Sequence, residues 1–182
     1  MRVPFRSILT SVAVIAALLA VPRPAAAYNP DPSVYWITQN AGTCDRDLAS
    51  YPGDLFSWGA LGGAGCYIKG STPESIYESD PNSQNAAFEL WAYRGGLIGV
   101  ISFEAHGEWL YVADTANDGD TFYVWVDGKG PYYVPGTSNP TDDDFFNLSL
   151  TDGVRYSIKI TDDKDGNDVI ASSSGTLPYL VA

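Results

Sequence analysis

The amino-acid sequence predicts an all-β protein whose strands form an antiparallel sandwich or barrel, with the sandwich preferred. Three observations support this prediction. Short apolar runs recur about every 8–12 residues from position 86 onward, and turn residues rich in glycine separate them. No segment after residue 27 has apolar residues at the spacing of a helix. Many short strands at this spacing are typical of sandwiches and barrels.

Eight strands are expected in the second part of the chain. They are predicted at 87–93, 97–105, 108–114, 121–127, 132–134, 145–150, 154–160 and 168–173. Dipeptides such as Asp118-Gly119 and Asp152-Gly153 lie between them, and such pairs favour tight turns. The sandwich domain is therefore predicted to span residues 86–182.

The segment 154–160 shows the clearest alternation of apolar and polar residues. Successive side chains of a strand point to opposite faces, so alternate residues share a face. The expected inward-facing residues are Val154, Tyr156, Ile158 and Ile160, and the outward-facing ones are Arg155, Ser157 and Lys159. We therefore expect one buried and one solvated face.

Residues 1–27 are predicted to be a secretory signal peptide. Basic residues precede an apolar run at 8–21, and Ala25 and Ala27 give the small-x-small pattern of a cleavage site. The run is shorter than the about 20 residues of a spanning helix, although an uncleaved anchor helix is the alternative. We therefore expect a mature chain, 28–182, that is secreted into the extracellular space and has no membrane segment.

Between this leader and the regular strands, residues 28–85 are predicted to form a loop-rich segment packed on the sandwich domain. The segment contains the two cysteines, Cys44 and Cys66. We expect a disulfide between them, because an exported chain meets an oxidising compartment. The bridge would stabilise the fold by about 3 kcal/mol. A catalytic thiol is the weaker alternative, since His106 is the single histidine.

The composition is acidic. The chain has 22 Asp and Glu residues against 10 Lys and Arg residues, and its formal net charge is −12. Such a chain repels phosphate backbones, so we expect no nucleic-acid partner. Solubility outside the cell is the simplest interpretation of the charge.

One short motif refines the predicted fold. Leu150, Gly153 and Tyr156 have the spacing L-x-x-G-x-x-Y, where one predicted strand ends and the next begins. The motif is similar to the tyrosine corner of immunoglobulin-like and fibronectin type III-like sandwiches, in which the tyrosine hydroxyl bonds to the backbone upstream. Asp152 replaces the proline that usually precedes the glycine, which departs from the fibronectin type III pattern. The resemblance implies an immunoglobulin-like sandwich and no function.

A second motif covers residues 101–120, ISFEAHGEWLYVADTANDGD. It has the form F-x-x-x-G-E-x-L-x-V-x-D-x-x-x-D-G. This form resembles a pattern in small exported β-sandwich proteins of actinobacteria whose function is unknown. The resemblance implies export and a β-sandwich, and it implies no activity.

The residue groups of common catalytic sites are missing from the sequence. It has one histidine, no G-x-S-x-G motif, no zinc-ligand spacing and no glycine-rich phosphate loop. Glu89, Glu104 and Glu108 lie in or beside apolar strands, so a small hydrolase with paired carboxylates is an alternative. We expect a protein without catalytic activity.

Two oxygen-rich turns are candidates for calcium, which prefers several carboxylate and amide oxygens from a flexible loop. They comprise Asp114, Asn117, Asp118 and Asp120, and Asp162, Asp163, Asp165, Asn167 and Asp168. Neither turn is a full EF-hand loop, and Asp or Asn beside Gly also forms ordinary β-turns. Bound calcium is therefore an alternative to a protein without a cofactor.

The segments 108–114 and 121–127 are predicted to pair as an antiparallel hairpin across a short acidic turn. The four residues of the predicted outer face are Trp109, Tyr111, Tyr123 and Trp125. The four residues of the predicted core face are Leu110, Val112, Phe122 and Val124. An outer face left open by residues 28–85 would be a binding platform, and a covered one would not.

These observations favour a secreted, non-catalytic binding module for an extracellular glycan or protein partner. One alternative is a secreted inhibitor or effector that presents the disulfide-closed loop 44–66 to an enzyme. The other alternative is the small hydrolase with paired carboxylates.

Overall fold

The computed structural model describes residues 28–40, 46–49, 57–61, 65–69, 76–78, 82–116, 118–136 and 142–182. Within these ranges the chain forms antiparallel strands joined by turns. No helix of the described residues is long and apolar enough to cross a membrane. The predicted all-β class with antiparallel sheets is confirmed, whereas the predicted signal peptide lies outside the described ranges.

The strands are numbered in chain order. They are β1 Ser33–Asn40, β2 Arg46–Ala49, β3 Ser57–Leu61, β4 Gly65–Lys69, β5 Ile76–Glu78, β6 Gln84–Trp91, β7 Leu97–Glu104, β8 Trp109–Asp114, β9 Tyr123–Val126, β10 Lys129–Tyr132, β11 Asp142–Asn147, β12 Arg155–Tyr156, β13 Ile158–Thr161, β14 Val169–Ser172 and β15 Leu180–Val181. The strands of the second part of the chain lie close to their predicted positions, and β15 was not predicted.

The large sheet has the strand order β11-β8-β7-β6-β1-β2. β1 runs beside β6 from the pair Ser33–Trp91 to the pair Asn40–Gln84. Where β7 ends, β15 lies beside β6, because Val181 pairs with Gln84. β12 in turn pairs with β15. The segment predicted to be loop-rich therefore supplies a complete strand to this sheet.

The second sheet has the strand order β10-β9-β13-β14, and a three-stranded sheet has the order β3-β4-β5. The large and second sheets share one segment of chain, because only Ser157 separates β12 from β13. Tyr156 pairs with Leu180 in the large sheet, and Ile158 pairs with Val126 in the second sheet. This segment therefore changes from one sheet to the other within two residues.

One apolar cluster takes side chains from both the large and the second sheet. Its largest fully buried side chains are Phe88, Phe103, Phe122, Leu90, Ile101, Leu110, Ile158, Ile160, Leu180 and Val112. The ring of Phe122 lies directly on Gly99, where any Cβ would collide with it. A glycine at position 99 is therefore needed for the approach of this ring to β7.

The predicted inward faces are largely confirmed. Leu110, Val112, Phe122 and Val124 are fully buried, as are Ile158 and Ile160. The prediction is wrong at Val154, which is 41% exposed. This residue precedes β12 and belongs to a turn, since its N–H donates to the carbonyl of Thr151.

The hydrogen bond expected of the tyrosine motif is present. The backbone N–H of Thr151 donates to the hydroxyl of Tyr156 at 2.9 Å. Leu150 and Tyr156 both pack against the apolar cluster. Gly153 between them has φ +70°, a left-handed conformation that glycine adopts without steric cost.

The predicted hairpin of 108–114 and 121–127 is wrong. β8 lies between β7 and β11, and β9 lies between β10 and β13, so both edges of each strand are occupied. After β8, the N–H of Thr115 donates to the carbonyl of Ile98 at 2.8 Å, and its hydroxyl donates to that of Leu97 at 3.0 Å. The chain therefore continues along β7 and does not turn back on β8.

Candidate functional site

The four aromatic residues predicted to share one face lie on two different sheets. Trp109 and Tyr111 are on β8, on the face of the large sheet that points away from the shared core. Tyr123 and Trp125 are on β9, on the outer face of the second sheet. The predicted four-residue platform is therefore wrong in its geometry, because it depended on β8 pairing with β9.

The pair on β8 forms a ring surface with an aromatic residue of β11. In the register of β8 and β11, Tyr111 lies opposite Phe145 and Trp109 lies opposite Asn147. The ring centroids of Tyr111 and Phe145 are 4.8 Å apart. Trp109 is 41% and Phe145 44% exposed, whereas Tyr111 is only 8% exposed. We call Trp109, Tyr111 and Phe145 the β8–β11 ring surface.

Polar groups border this ring surface. The side-chain amide of Asn147 donates to the carbonyl of Gly107 at 3.1 Å, which holds the hairpin turn between β7 and β8 against β11. Asp143 lies on the same face of β11, opposite Ala113, and is exposed. The surface therefore combines open rings with hydrogen-bonding groups at its edge.

The pair on β9 is held by its own sheet. The indole N–H of Trp125 donates to the hydroxyl of Thr161 at 3.1 Å, and the ammonium of Lys159 lies 5.0 Å from the ring centroid. The ring of Tyr123 lies 5.0 Å from that of Tyr133. Because its contacts are within the fold, Trp125 is better placed to support the second sheet than to meet a ligand.

Acidic side chains continue the inward-facing rows of three strands beyond the apolar cluster. They are Asp114 at the end of β8, Asp120 before β9 and Asp162 after β13. Each stands two positions from the last apolar residue of its row, and residues two apart on a strand share a face. We call these three residues, together with Tyr28, the acidic corner.

The oxygens of the acidic corner are buried and incompletely bonded. Asp114 is 2% exposed; its Oδ1 accepts the N–H of Ala116 at 2.9 Å, but its Oδ2 has no partner among the described residues. Asp162 is 6% exposed, and neither of its oxygens has a hydrogen-bond partner in the described part of the chain. The hydroxyl of Tyr28 is also buried and unpaired there. A buried polar group without a partner is costly, and a charged one is more so.

The charges of the acidic corner act on one another. Burial, with a smaller contribution from the charge of Asp120, raises the pKa of Asp114 and of Asp162 to about 6. The backbone N–H of Tyr28 opposes this shift at Asp162. Burial and the surrounding carboxylates raise the pKa of the Tyr28 hydroxyl. The groups of the corner are therefore close enough to interact. None of the groups that shift these pKa values is positively charged.

Two of the other predicted calcium ligands act on this corner through their charges: Asp118 raises the pKa of Asp114, and Asp168 raises the pKa of Asp162. In the second turn, Oδ1 of Asp163 accepts the N–H groups of Asn167 and Asp168 at 2.7 and 3.1 Å, which closes the turn on itself. Asp165 is exposed, and Asn117 lies outside the described residues. Among the residues that the structure describes, no three His, Cys, Asp or Glu side chains are grouped to hold one metal ion. Calcium binding stays a prediction.

The disulfide also stays a prediction. Cys44 lies outside the described residues. The backbone of Cys66 is in β4, where it pairs with Ala60 of β3 and Tyr77 of β5. The loop 44–66 predicted for an inhibitor lies largely outside the described ranges.

Two of the carboxylates considered for hydrolysis, Glu89 and Glu104, are far apart along the sheet. Glu89 is buried and accepts the indole N–H of Trp91 at 2.9 Å, and burial raises its pKa. It lies opposite Val100, and Glu104 is four residues further along β7. That offset corresponds to about 13 Å along a strand. Retaining and inverting glycosidases need carboxyl groups about 5–9.5 Å apart.

Sequence reasoning missed two residues of these sites. The sequence predicts that a strand begins at Phe145. Alternation alone does not predict that Phe145 lies opposite Tyr111 of β8. Tyr28 was considered only as the first residue after the leader. The inward position of Asp162 could have been found, since it follows the row of Ile158 and Ile160 by two residues.

Comparison with known proteins finds no family model that matches the chain, no similar curated protein and no similar solved structure.

Proposed function

We propose that this chain is a secreted, non-catalytic binding module for an extracellular glycan or protein partner. The observation that carries the proposal is the exposure of Trp109 and Phe145 on neighbouring strands, above the buried Tyr111. Large rings are among the side chains whose burial gives most binding free energy. An exposed pair of them on one sheet face therefore favours a binding surface.

The geometry of the pair fits a flat ligand. Trp109 and Phe145 occupy diagonal positions on β8 and β11, for which backbone positions are roughly 7–8 Å apart. Rings at this spacing suit the apolar face of a sugar or the apolar anchor of a partner protein. Asp143 and Asn147 at the edge offer acceptors and donors for hydroxyl groups.

We also propose that the chain is exported, that its fold is an immunoglobulin-like sandwich and that it contains a disulfide. The leader pattern at 1–27 supports export and cleavage after Ala27. The bond between Thr151 and Tyr156, together with a core shared by two sheets, supports a sandwich of immunoglobulin-like type. Export and the even cysteine count support the bridge between Cys44 and Cys66.

A small hydrolase is a weaker candidate, because the offset between Glu89 and Glu104 exceeds the carboxyl separation of glycosidases. The inhibitor with a loop at 44–66 has no support from the described residues beyond the predicted disulfide.

The experiment is a glycan array probed with the exported chain, followed by titration of the best-binding oligosaccharide with detection by tryptophan fluorescence. We expect Trp109→Ala and Phe145→Ala each to weaken binding about tenfold or more, as for ring contacts at binding hot spots. The melting temperature should stay nearly unchanged, because both side chains are exposed.

The matched control is Tyr93→Ala. Tyr93 is 78% exposed and lies in the turn between β6 and β7, away from the ring surface. It should leave binding unchanged. Loss of binding in all three variants, or in none, would contradict the assignment of the β8–β11 ring surface.

A further inference from the structure

The unpaired carboxylate oxygens of the acidic corner have no cationic partner among the described residues. Asp114 and Asp162 are more than nine-tenths buried, and three of their four carboxylate oxygens have no hydrogen-bond partner among the described residues. Asp120 adds a further charge nearby. Buried carboxylates are normally paired with a cation or fully hydrogen-bonded. The corner therefore has the chemistry of a site for a positively charged group.

The backbone nitrogen of Tyr28 is the group placed to meet this requirement. Tyr28 packs against the shared core through its ring, which fixes the start of the described chain at the corner. Its N–H lies close enough to Asp162 to favour the ionised carboxylate, although it does not reach the geometry of a full hydrogen bond. Within the precursor this nitrogen is an amide with one N–H and no charge.

Removal of the leader would change the chemistry of this atom. Hydrolysis of the peptide bond between Ala27 and Tyr28 by a signal peptidase consumes one water. It leaves a carboxylate on Ala27 and an amine on Tyr28. An α-amino group has a pKa of about 7.7–8.0, so it is largely protonated at neutral pH. The same position would then present three N–H donors and a positive charge.

We propose that the buried carboxylate of Asp162 is the binding site for the α-ammonium group of Tyr28, which forms only when the leader is removed. The inference rests on the proposed export and cleavage after Ala27. The new ammonium supplies the cation that the corner lacks, and its three donors reach the unpaired oxygens of Asp162. The mature chain is therefore more stable than any form that carries extra residues before Tyr28.

The test compares two chains exported from full precursors. One is the natural precursor, and the other has a single glycine inserted between Ala27 and Tyr28, which moves the ammonium one residue away from the corner. Intact mass identifies the first residue of each product. The inserted form should melt roughly 3–6 °C lower, the shift expected when one charge pair is lost in a chain of this size.

The substitution Asp162→Asn, made in both chains, identifies the partner. In the natural chain it should lower the melting temperature, because it removes the acceptor of the ammonium. In the inserted chain it should not lower it, because the carboxylate there has no cation to lose. Asp165→Asn, in the exposed part of the adjoining turn, is the matched control and should have no effect in either chain.

A second measurement does not depend on the inserted form. An aminopeptidase should remove Tyr28 slowly from the natural chain and several times faster from its Asp162→Asn variant, because a bound ammonium is withheld from the enzyme. Equal trimming rates would overturn the inference. So would equal melting temperatures for the two N-termini, or an equal effect of Asp162→Asn in both.

Two further outcomes would also overturn it. One is cleavage at another bond, which would place the ammonium elsewhere while leaving the proposed role of Trp109 and Phe145 untouched. The other is a rise in melting temperature of both chains with millimolar calcium chloride that chelation reverses and Asp162→Asn abolishes. The corner would then hold a metal ion and not the chain terminus.

Discussion

The shared core and the acidic corner are two regions built from the same strands, and two residues of the corner are buried almost as deeply as the core. Val112 and Ile160 are fully buried in the core, and two positions further along each strand Asp114 and Asp162 are almost as inaccessible. The side chains of the core cluster are apolar, so their burial is stabilising in itself. The corner is stabilising only if a cation or donor compensates its carboxylates. The alternation of side chains along a strand determines which of them face inward. It does not determine whether burying them is favourable.

The largest effect should come from removing a ring of the core. Phe122→Ala should lower the free energy of unfolding by about 3–5 kcal/mol, because it deletes a fully buried aromatic side chain that packs on Gly99. Urea denaturation of the purified protein measures this loss. A cost below about 1 kcal/mol, the range of exposed positions, would mean that the core is not closed around Phe122.

A change of the opposite sign is expected in the corner. Asp114→Asn keeps the acceptor for the N–H of Ala116 and removes a charge that burial and Asp118 disfavour. We expect the free energy of unfolding at neutral pH to rise by about 1 kcal/mol. A loss comparable to that of Phe122→Ala would mean that the corner is already compensated at this residue.

The pH dependence of this variant provides the control. The pKa of Asp114 is raised to about 6 in the folded chain and lies near 4 when unfolded, so the folded state binds more protons between these values. The contribution of Asp114 to stability therefore falls as pH rises from about 4 to 6, and it is constant above. The advantage of Asp114→Asn should shrink as pH falls below 6 and vanish below about pH 3, where Asp114 is protonated in both states.

The smallest effect is expected for the hydroxyl of Tyr156, a polar group that already has a hydrogen-bond partner. Tyr156→Phe keeps the ring against the core and removes only the acceptor of the Thr151 N–H. The expected cost is about 1 kcal/mol, the net value of one hydrogen bond, as measured by urea denaturation. Val154→Ala nearby, at an exposed turn position, should stay within about 0.5 kcal/mol of the natural chain. Equal costs for the two variants would show that the hydrogen bond between Thr151 and Tyr156 contributes nothing to stability.

Most strands could be predicted from the sequence, because alternation and turn residues are local signals. The segment 154–160 shows this, since Ile158 and Ile160 are buried as expected. Strand partners could not be predicted in the same way. β8 and β9 are neighbours in sequence, yet β8 pairs with β11. The alternation of apolar and polar residues predicts which face of a strand is buried, but it does not predict which strand lies beside it.

The candidate sites depend on those partners. The sequence predicts that Trp109 points away from the core, but its neighbour is Phe145 of β11 and not Trp125 of β9. The two acidic turns were identified separately. Their inward-facing members, Asp114 and Asp162, interact with the same residue, Tyr28, because β8 and β13 end on the same side of the core. Such convergence comes from tertiary packing, which no local pattern contains.

The change of sheet at Ser157 has a consequence for how the molecule opens. β12 and β13 are one continuous backbone whose amides bond to β15 on one side and to β9 and β14 on the other. Separating the two sheets therefore requires this segment to lose hydrogen bonds to both at once. The slowest-exchanging amides of the two sheets should share a single free energy of opening, as in one cooperative unit that has no half-open state.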